Sequence, residues 1–471
     1  MDIGQEDLAL PRLRHWETTR PDVICMTQPM GDGSLRAYTW SQAVGEARRM
    51  AAWLRAQEYP EGSNIAIISK NCAHWMMCDW AIWMAGHVSV PLYPTLTAES
   101  VRKILEHSES RAAFIGKLDD WDSMKSGVPD GVQCIGFPLS PPNDFPTWDA
   151  IIAEQDPLTE LPERRAEDLA TIIYTSGTTG MPKGVMLTHR NLLFIGGRSG
   201  TSRRVTPGDR IYGVLPISHV FGLASVYLGN MYMGGQVDLI PRFRAVHAIE
   251  AIEIGTINLF NGVPQMYARM LEQATIRGRS IDSGRLRYLS CGGAPLDLGL
   301  KQRVEAMFGL PLHNGYGMTE TSPTIAVTDI DRPRDDDTVG EIIPDVAVRI
   351  VDDAGASVSA GMVGEIQVAG PLIMKGYYKA PVETAAVMDG DWFKTGDLGR
   401  ITEDGLVYVV GRKKELIIRS GFNVYPPEVE AAISLHPDVA LCAVVGRLAR
   451  DGNEDVVAFV QPVAGLSLIH I

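Results

Sequence analysis

An α/β fold with doubly wound αβ layers is what this sequence predicts, on three observations. Between Asn64 and Gly116 short apolar, β-branched runs alternate with helical stretches, which is the pattern of a parallel sheet covered by helices. Further along, Arg210–Leu215, Ile257–Pro264 (INLFNGVP) and Leu286–Pro295 (LRYLSCGGAP) are strand-like runs, the last two ending in tight Gly/Pro turns. Open α/β sheets bind ligands at such strand ends. A length of 471 residues with 45% hydrophobic content is enough to bury a large core and to form more than one domain.

Taken in order, Tyr38-Thr39-Trp40-Ser41 leads into a helix with Ser41 as its cap and Val44, Ala47, Ala51 and Leu54 at helical spacing. Asn64–Ser69 is a short buried strand. Asn71–Gly86 is a helix carrying Trp75, Met76, Trp80, Trp83 and Met84, and this spacing favours core packing over a lipid or cofactor stripe. The strand Val88–Tyr93 follows, then a helix capped by Thr97 with Val101, Ile104 and Leu105 on one face, then the strand Ala112–Gly116. Residues 117–165 are rich in Pro, Asp and Gly and read as surface connections with one or two strands. Near the C-terminus come a helix, Glu428–Ser434, and two strands, Val439–Val445 and Val456–Val463.

A formal net charge of −14 argues against non-specific binding to nucleic acid and against attraction to an anionic membrane. An anionic ligand must then be held by local groups. Cys25, Cys72, Cys78, Cys134, Cys291 and Cys442 are scattered without metal-ligand spacing and read as free thiols of a reducing cytosol. The N-terminal residues lack an apolar signal core, and no apolar run is long enough to span a membrane, so a cytoplasmic location is expected.

The chemistry concentrates around Thr171–Asn191. The apolar strand Leu169–Tyr174 empties into Thr175-Ser176-Gly177-Thr178-Thr179-Gly180, six residues without apolar bulk, and Lys183 follows. Glycines let backbone N–H groups turn toward an anion, the hydroxyls add donors, and the lysine supplies a point charge. Such a loop suits a polyphosphate. Gly177 and Gly180 are too close for a Walker loop, and Lys183 follows Met181-Pro182 rather than glycine. Gly292-Gly293-Ala294 carries nothing bulky and suits one wall of a base pocket. Asn314-Gly315-Tyr316-Gly317-Met318-Thr319-Glu320 combines an amide for an adenine edge, an aromatic face for a purine, a hydroxyl for a phosphate and a hard carboxylate for Mg²⁺. Thr175 and Glu320 are the candidate metal ligands. His219, in Pro216-Ile217-Ser218-His219-Val220-Phe221-Gly222, follows a strand; alone it reads as a satisfied polar residue.

The string YTSGTTGMPKGV (174–185), together with Y-G-x-T-E at Tyr316–Glu320, resembles the signatures of the adenylate-forming superfamily of acyl-CoA synthetases, luciferases and peptide-synthetase adenylation domains. Most of residues 30–465 share the resemblance. It implies a large N-terminal domain, 1–412, of αβ layers plus a small β-barrel-like part, followed by an incomplete small α+β lid, 413–465. It also implies that Asp397 grips the ribose hydroxyls, that Arg412 reaches the ribose, and that Lys414 is the hinge of the small domain. Gly421 lies where the pantetheine of coenzyme A passes, and His219 becomes a residue of the acyl channel. The activity implied is an acyl-CoA synthetase using ATP, Mg²⁺ and coenzyme A. The segment NCAHWMMCDWAIWMAGHVSVPLYP is similar to long- and medium-chain fatty acyl-CoA synthetases, which favours a fatty acid. The superfamily's catalytic lysine, in a P-x-x-x-x-G-K motif, has no counterpart after Lys414, so the chain is read as truncated. Leu466–Ile471 (LSLIHI) matches a translated sequencing adapter. Two alternatives stay open: an acyl-AMP ligase loading a carrier protein, and a nucleotide or acyl-adenylate binding module of little activity.

Overall fold

The computed structural model describes residues 4–175, 182–278, 280–419, 422–434, 436, 438–448 and 454–462. Ser176–Gly180, Gly421 and the terminal LSLIHI lie outside these residues.

Two large sheets organise the chain. The first has seven strands in the spatial order Gly376–Tyr377, Lys183–Thr188, Leu169–Thr175, Val88–Leu92, Asn64–Ile68, Ala112–Ile115 and Gln133–Gly136. Its last five strands run parallel, while Lys183–Thr188 turns back antiparallel on Leu169–Thr175. The second sheet has fourteen strands and is parallel from Ile24–Pro29 through Leu312–Gly317. Beyond Leu312–Gly317 it becomes antiparallel, through Thr324–Val327, Gly340–Ile342, Leu406–Arg412, Trp392–Ile401, Gly364–Ala369 and Ala347–Val351. The α/β class expected from the sequence is the architecture observed.

A layer of buried helices lies against both sheets, and one core cluster contains Ile65 and Phe114 of the first sheet with Ile211 and Leu259 of the second. Helix Ala73–Ala85 is the centre of that layer: every residue from Ala73 to Met84 is buried. Its tryptophans and methionines are core, as their spacing predicted, and each such side chain contributes about 1.5–3 kcal/mol by leaving water. The helix stops at Gly86, whose φ of 87° lies in the left-handed region that glycine enters without strain.

Several boundaries differ from expectation for local reasons. The helix Trp40–Ala56 is capped by Thr39, not Ser41. Thr39 Oγ1 accepts from the Gln42 N–H at 3.3 Å while Gln42 Oε1 accepts from the Thr39 N–H at 3.0 Å, a reciprocal capping box. Val44, Ala47, Ala51 and Leu54 are buried as predicted, and Thr97 does cap its helix. The stretch read as surface connections holds the strand Gln133–Gly136 and also two short helices, Trp121–Met124 and Trp148–Ala153. Trp148 is fully buried there and donates to Glu46 Oε2. Phe221–Leu228 forms a π-helix, which no periodicity in the sequence announced. Among the described residues no helix is long and apolar enough to cross a membrane.

Candidate functional site

The parallel strands of the larger sheet end together on one rim, with Gly262 level with Cys291 and Cys291 level with Asn314. Above that rim opens a cavity of about 740 Å³. Thr175, His219, Gly292, Gly293, Asn314, Gly315, Tyr316, Gly317, Thr319, Glu320 and Arg412 all line it, so eleven residues singled out in five separate stretches meet at one place. Ala294 is exposed and does not line the cavity, so the base wall expected of Gly292–Ala294 is reduced to the two glycines. A Cβ on Gly292 would sit 3.3 Å from the Phe221 ring, and Gly293 has a φ of 78°. Both glycines therefore answer to geometry, one to a close approach and the other to its backbone.

Thr175 ends one strand and pairs directly with Lys183, which begins the next. The strands ending at Thr175 and beginning at Lys183 therefore form an antiparallel pair. Lys183 does not line the cavity; its Nζ sits 4.8 Å from the centre of the Tyr377 ring, a cation–π contact. The Tyr377 hydroxyl in turn donates to Glu320 Oε1 at 2.8 Å. Burial, then the Glu320 charge, pushes the Tyr377 pKa far up, so this hydroxyl stays a donor. Sequence reasoning missed Tyr377; its only signal is a short strand, Gly376–Tyr377, pairing with Val185 and Met186 beside Lys183.

Thr319 and Glu320 belong to a single 3-10 turn, Thr319–Thr321. Thr321 and Ser322 fasten that turn, with the Ser322 hydroxyl donating to the Leu372 carbonyl at 2.8 Å. Gly317 lets the chain enter it: a Cβ there would lie 1.8 Å from the Pro323 carbonyl oxygen.

Asp397 stands behind Tyr316. The Tyr316 hydroxyl donates to Asp397 Oδ2 at 2.7 Å, and Arg412 Nε lies 3.3 Å from Asp397 Oδ1. The pairing is built into the antiparallel strands, where Asp397 and Arg412 are direct register partners. Burial raises the Asp397 pKa, and the Tyr316 hydrogen bond and Arg412 charge pull against it. Asn314, by contrast, is already engaged: its Nδ2 donates to the Thr338 carbonyl at 3.2 Å and its Oδ1 accepts from the Gly315 N–H at 3.0 Å. Its amide shapes the rim's backbone. Lys414 is exposed in the turn Lys413–Glu415 and does not line the cavity.

His219 Nδ1 accepts from the Phe221 N–H at 3.1 Å. Burial lowers its pKa, so at neutral pH the ring is uncharged and carries its proton on Nε2. Such a ring can orient a ligand but adds no charge.

Among the described residues no group of three or more His, Cys, Asp or Glu could hold a metal ion. Glu320 is buried and only its Oε1 is engaged by a side chain of the described residues. One carboxylate fits Mg²⁺, which is commonly held by one or two carboxylates together with substrate phosphates. A structural metal cage is a different arrangement.

The comparisons agree with this geometry. The AMP-binding enzyme family matches residues 13–378. The chain is 33% identical over 437 residues to the indoleacetate–CoA ligase of Aromatoleum aromaticum, covering 92% of this chain and 85% of that one. It is 29% identical to the long-chain-fatty-acid–CoA ligase of Bacillus subtilis, covering 90% and 81%. The solved structure of the o-succinylbenzoate coenzyme A synthetase of Bacillus subtilis, in complex with ATP and magnesium ion, superposes with a TM-score of 0.83 at 27% identity, covering 97% of this chain and 90% of that one. Match and geometry together establish that the chain belongs to the AMP-binding enzyme family.

Proposed function

We propose that this protein is an acid–CoA ligase that activates a carboxylic acid with MgATP to an acyl-adenylate and pyrophosphate, then passes the acyl group to coenzyme A. The observation that carries the reading is the single cavity into which the Thr319–Glu320 turn, the Tyr316–Asp397–Arg412 bridge and the end of the Thr175 strand all open. In this reading Thr175, the loop 176–180 and Lys183 hold the phosphates, and Thr319 orients the α-phosphate. Tyr316 stacks on adenine between the Gly292-Gly293 wall and the rim. Asp397, tethered from both sides, accepts from the ribose hydroxyls. Bound through Glu320, with Thr175 beside it, Mg²⁺ would supply charge neutralisation at the phosphates. The protein does little covalent work; positioning and charge stabilisation carry the reaction.

The residues from 413 onward act as the mobile lid in this proposal, turning at Lys414, with Gly421 beside the pantetheine. Coenzyme A as acceptor follows the named activities of the relatives; a carrier protein is the competing acceptor. The similarity to a long-chain-fatty-acid–CoA ligase supports a fatty acid, and the similarity to the indoleacetate enzyme supports an aryl acid.

Acid-dependent exchange of pyrophosphate into ATP, across acetate, octanoate, palmitate and benzoate, tests the activation step. Exchange with at least one acid is expected, falling on the order of 10²–10³-fold in Glu320→Gln, by analogy with a lost charge-stabilising group. Exchange that Glu320→Gln leaves intact would sink the assignment. Thioester formation on coenzyme A, set against a phosphopantetheinylated carrier, decides the acceptor.

A further inference from the structure

The deep end of the cavity is not built for a bare hydrocarbon. The strand Tyr288–Cys291 runs up to the Gly292 wall, and alternate residues Tyr288, Ser290 and Gly292 all line the cavity. Tyr288 lies four residues back from Gly292, about 13 Å along a strand. At that depth Arg203 also lines the cavity. Its residue is only 7% exposed. Its Nη1 donates to the Ser225 carbonyl, and Tyr288 lies close enough to raise its pKa against burial.

Arg203 differs from the arginines around it. Arg198 is paired with Asp345, Arg204 with Asp331 and Arg287 with Asp209. No carboxylate among the described residues pairs with Arg203; burial lowers its pKa and Tyr288, not a carboxylate, pulls against that. At least half of its roughly five N–H donors have no partner among the described residues. A buried cation without a counter-charge is costly. A planar fork of donors facing a cavity matches a carboxylate.

We propose that Arg203 selects carboxylic acids that carry a second carboxylate, or another oxygen acceptor, at the end remote from the reacting carboxyl group. The inference rests on the ligase reading above and deepens it by naming the acid. The reacting carboxyl group lies at the Thr319–Glu320 end, the body of the acid passes His219 and Ser290, and the remote oxygens meet the guanidinium. No covalent step involves Arg203; it is a specificity residue. A saturated fatty acid of matching length would bury the guanidinium behind a methyl group and leave it unpaired.

Binding of non-hydrolysable acyl-sulfamoyl adenosines to this chain, measured by calorimetry, reads the pocket without requiring turnover. Three matched pairs serve: pentanoyl with its ω-carboxylate, octanoyl with its ω-carboxylate, and 4-methylbenzoyl with 4-carboxybenzoyl. The carboxylate member of at least one pair is expected to bind tenfold or more tightly. In Arg203→Met that preference disappears while the methyl-ended member binds as well as before, which also shows that the variant is folded. If every methyl-ended ligand binds as tightly as its partner, or if the preference survives in Arg203→Met, the inference falls and the ligase reading stands. If no acyl-sulfamoyl adenosine binds, the ligase reading falls and takes this inference with it.

Discussion

At the residue scale, the site works through side chains that hold other side chains. Asp397 is gripped by Tyr316 at 2.7 Å and approached by Arg412 at 3.3 Å, so its carboxylate is aimed before any ligand arrives. Asp397→Asn removes a charged acceptor, a loss of about 1.5–3 kcal/mol, and the KM for ATP should rise roughly 10–100-fold with a smaller change in kcat. Tyr377→Phe keeps the ring beneath Lys183 but deletes the donor to Glu320. Exchange should fall about tenfold, and an unchanged rate would show that Tyr377 does not position the carboxylate. The motif residues Tyr316, Thr319 and Glu320 were legible because an aromatic, a hydroxyl and a carboxylate within five residues of sequence have few other uses. Tyr377 and Arg203 were not, since each matters only through what the fold sets beside it.

At the scale of elements, a few tight approaches decide where functional groups sit. A Cβ at Gly317 would meet the Pro323 carbonyl oxygen at 1.8 Å, so Gly317→Ala must push the Thr319–Thr321 turn away from the rim. Overpacking of this kind costs about 1–3 kcal/mol. The variant should keep its fold by circular dichroism yet lose most exchange; full activity would contradict the tight approach. Helix Ala73–Ala85 has the opposite role, stability without chemistry. Trp83 is fully buried and its Nε1 donates to the Ala170 carbonyl at 2.9 Å. Trp83→Ala should cost about 3–5 kcal/mol, read as a lower midpoint of denaturant unfolding. The strands and this helix were legible from apolar runs and spacing. The π-helix Phe221–Leu228 and the buried Trp148 helix were not, because a stretch that is apolar at almost every position has no preferred face and a Pro-rich one has no clear period.

At the scale of the whole molecule, one buried carboxyl group ties stability to pH. Both Asp79 oxygens are sealed inside the helical layer with no hydrogen-bond partner among the described residues. Burial lifts its pKa from 3.8 to about 7. The folded chain therefore keeps a proton up to about pH 7 that the unfolded chain releases near pH 4. Stability from this group falls as pH rises through that window, by on the order of 4 kcal/mol. Asp79→Asn abolishes the dependence, so the variant should gain on the parent in melting temperature between pH 5 and pH 8. Equal pH profiles would contradict a sealed carboxyl group. The sequence by itself determined the α/β class, the strand that ends at Thr175 and the motif that carries Thr319 and Glu320, because these depend on neighbours in sequence: apolar periodicity, glycine and hydroxyl content, short spacing. The tertiary structure alone decided that the hydroxyl of Tyr377 reaches Glu320, that Asn314 spends its amide on the rim, and that Arg203 lies unpaired at the foot of the cavity. Those facts depend on residues from distant strands and helices meeting in low dielectric, where a missing partner matters most and no local pattern records it.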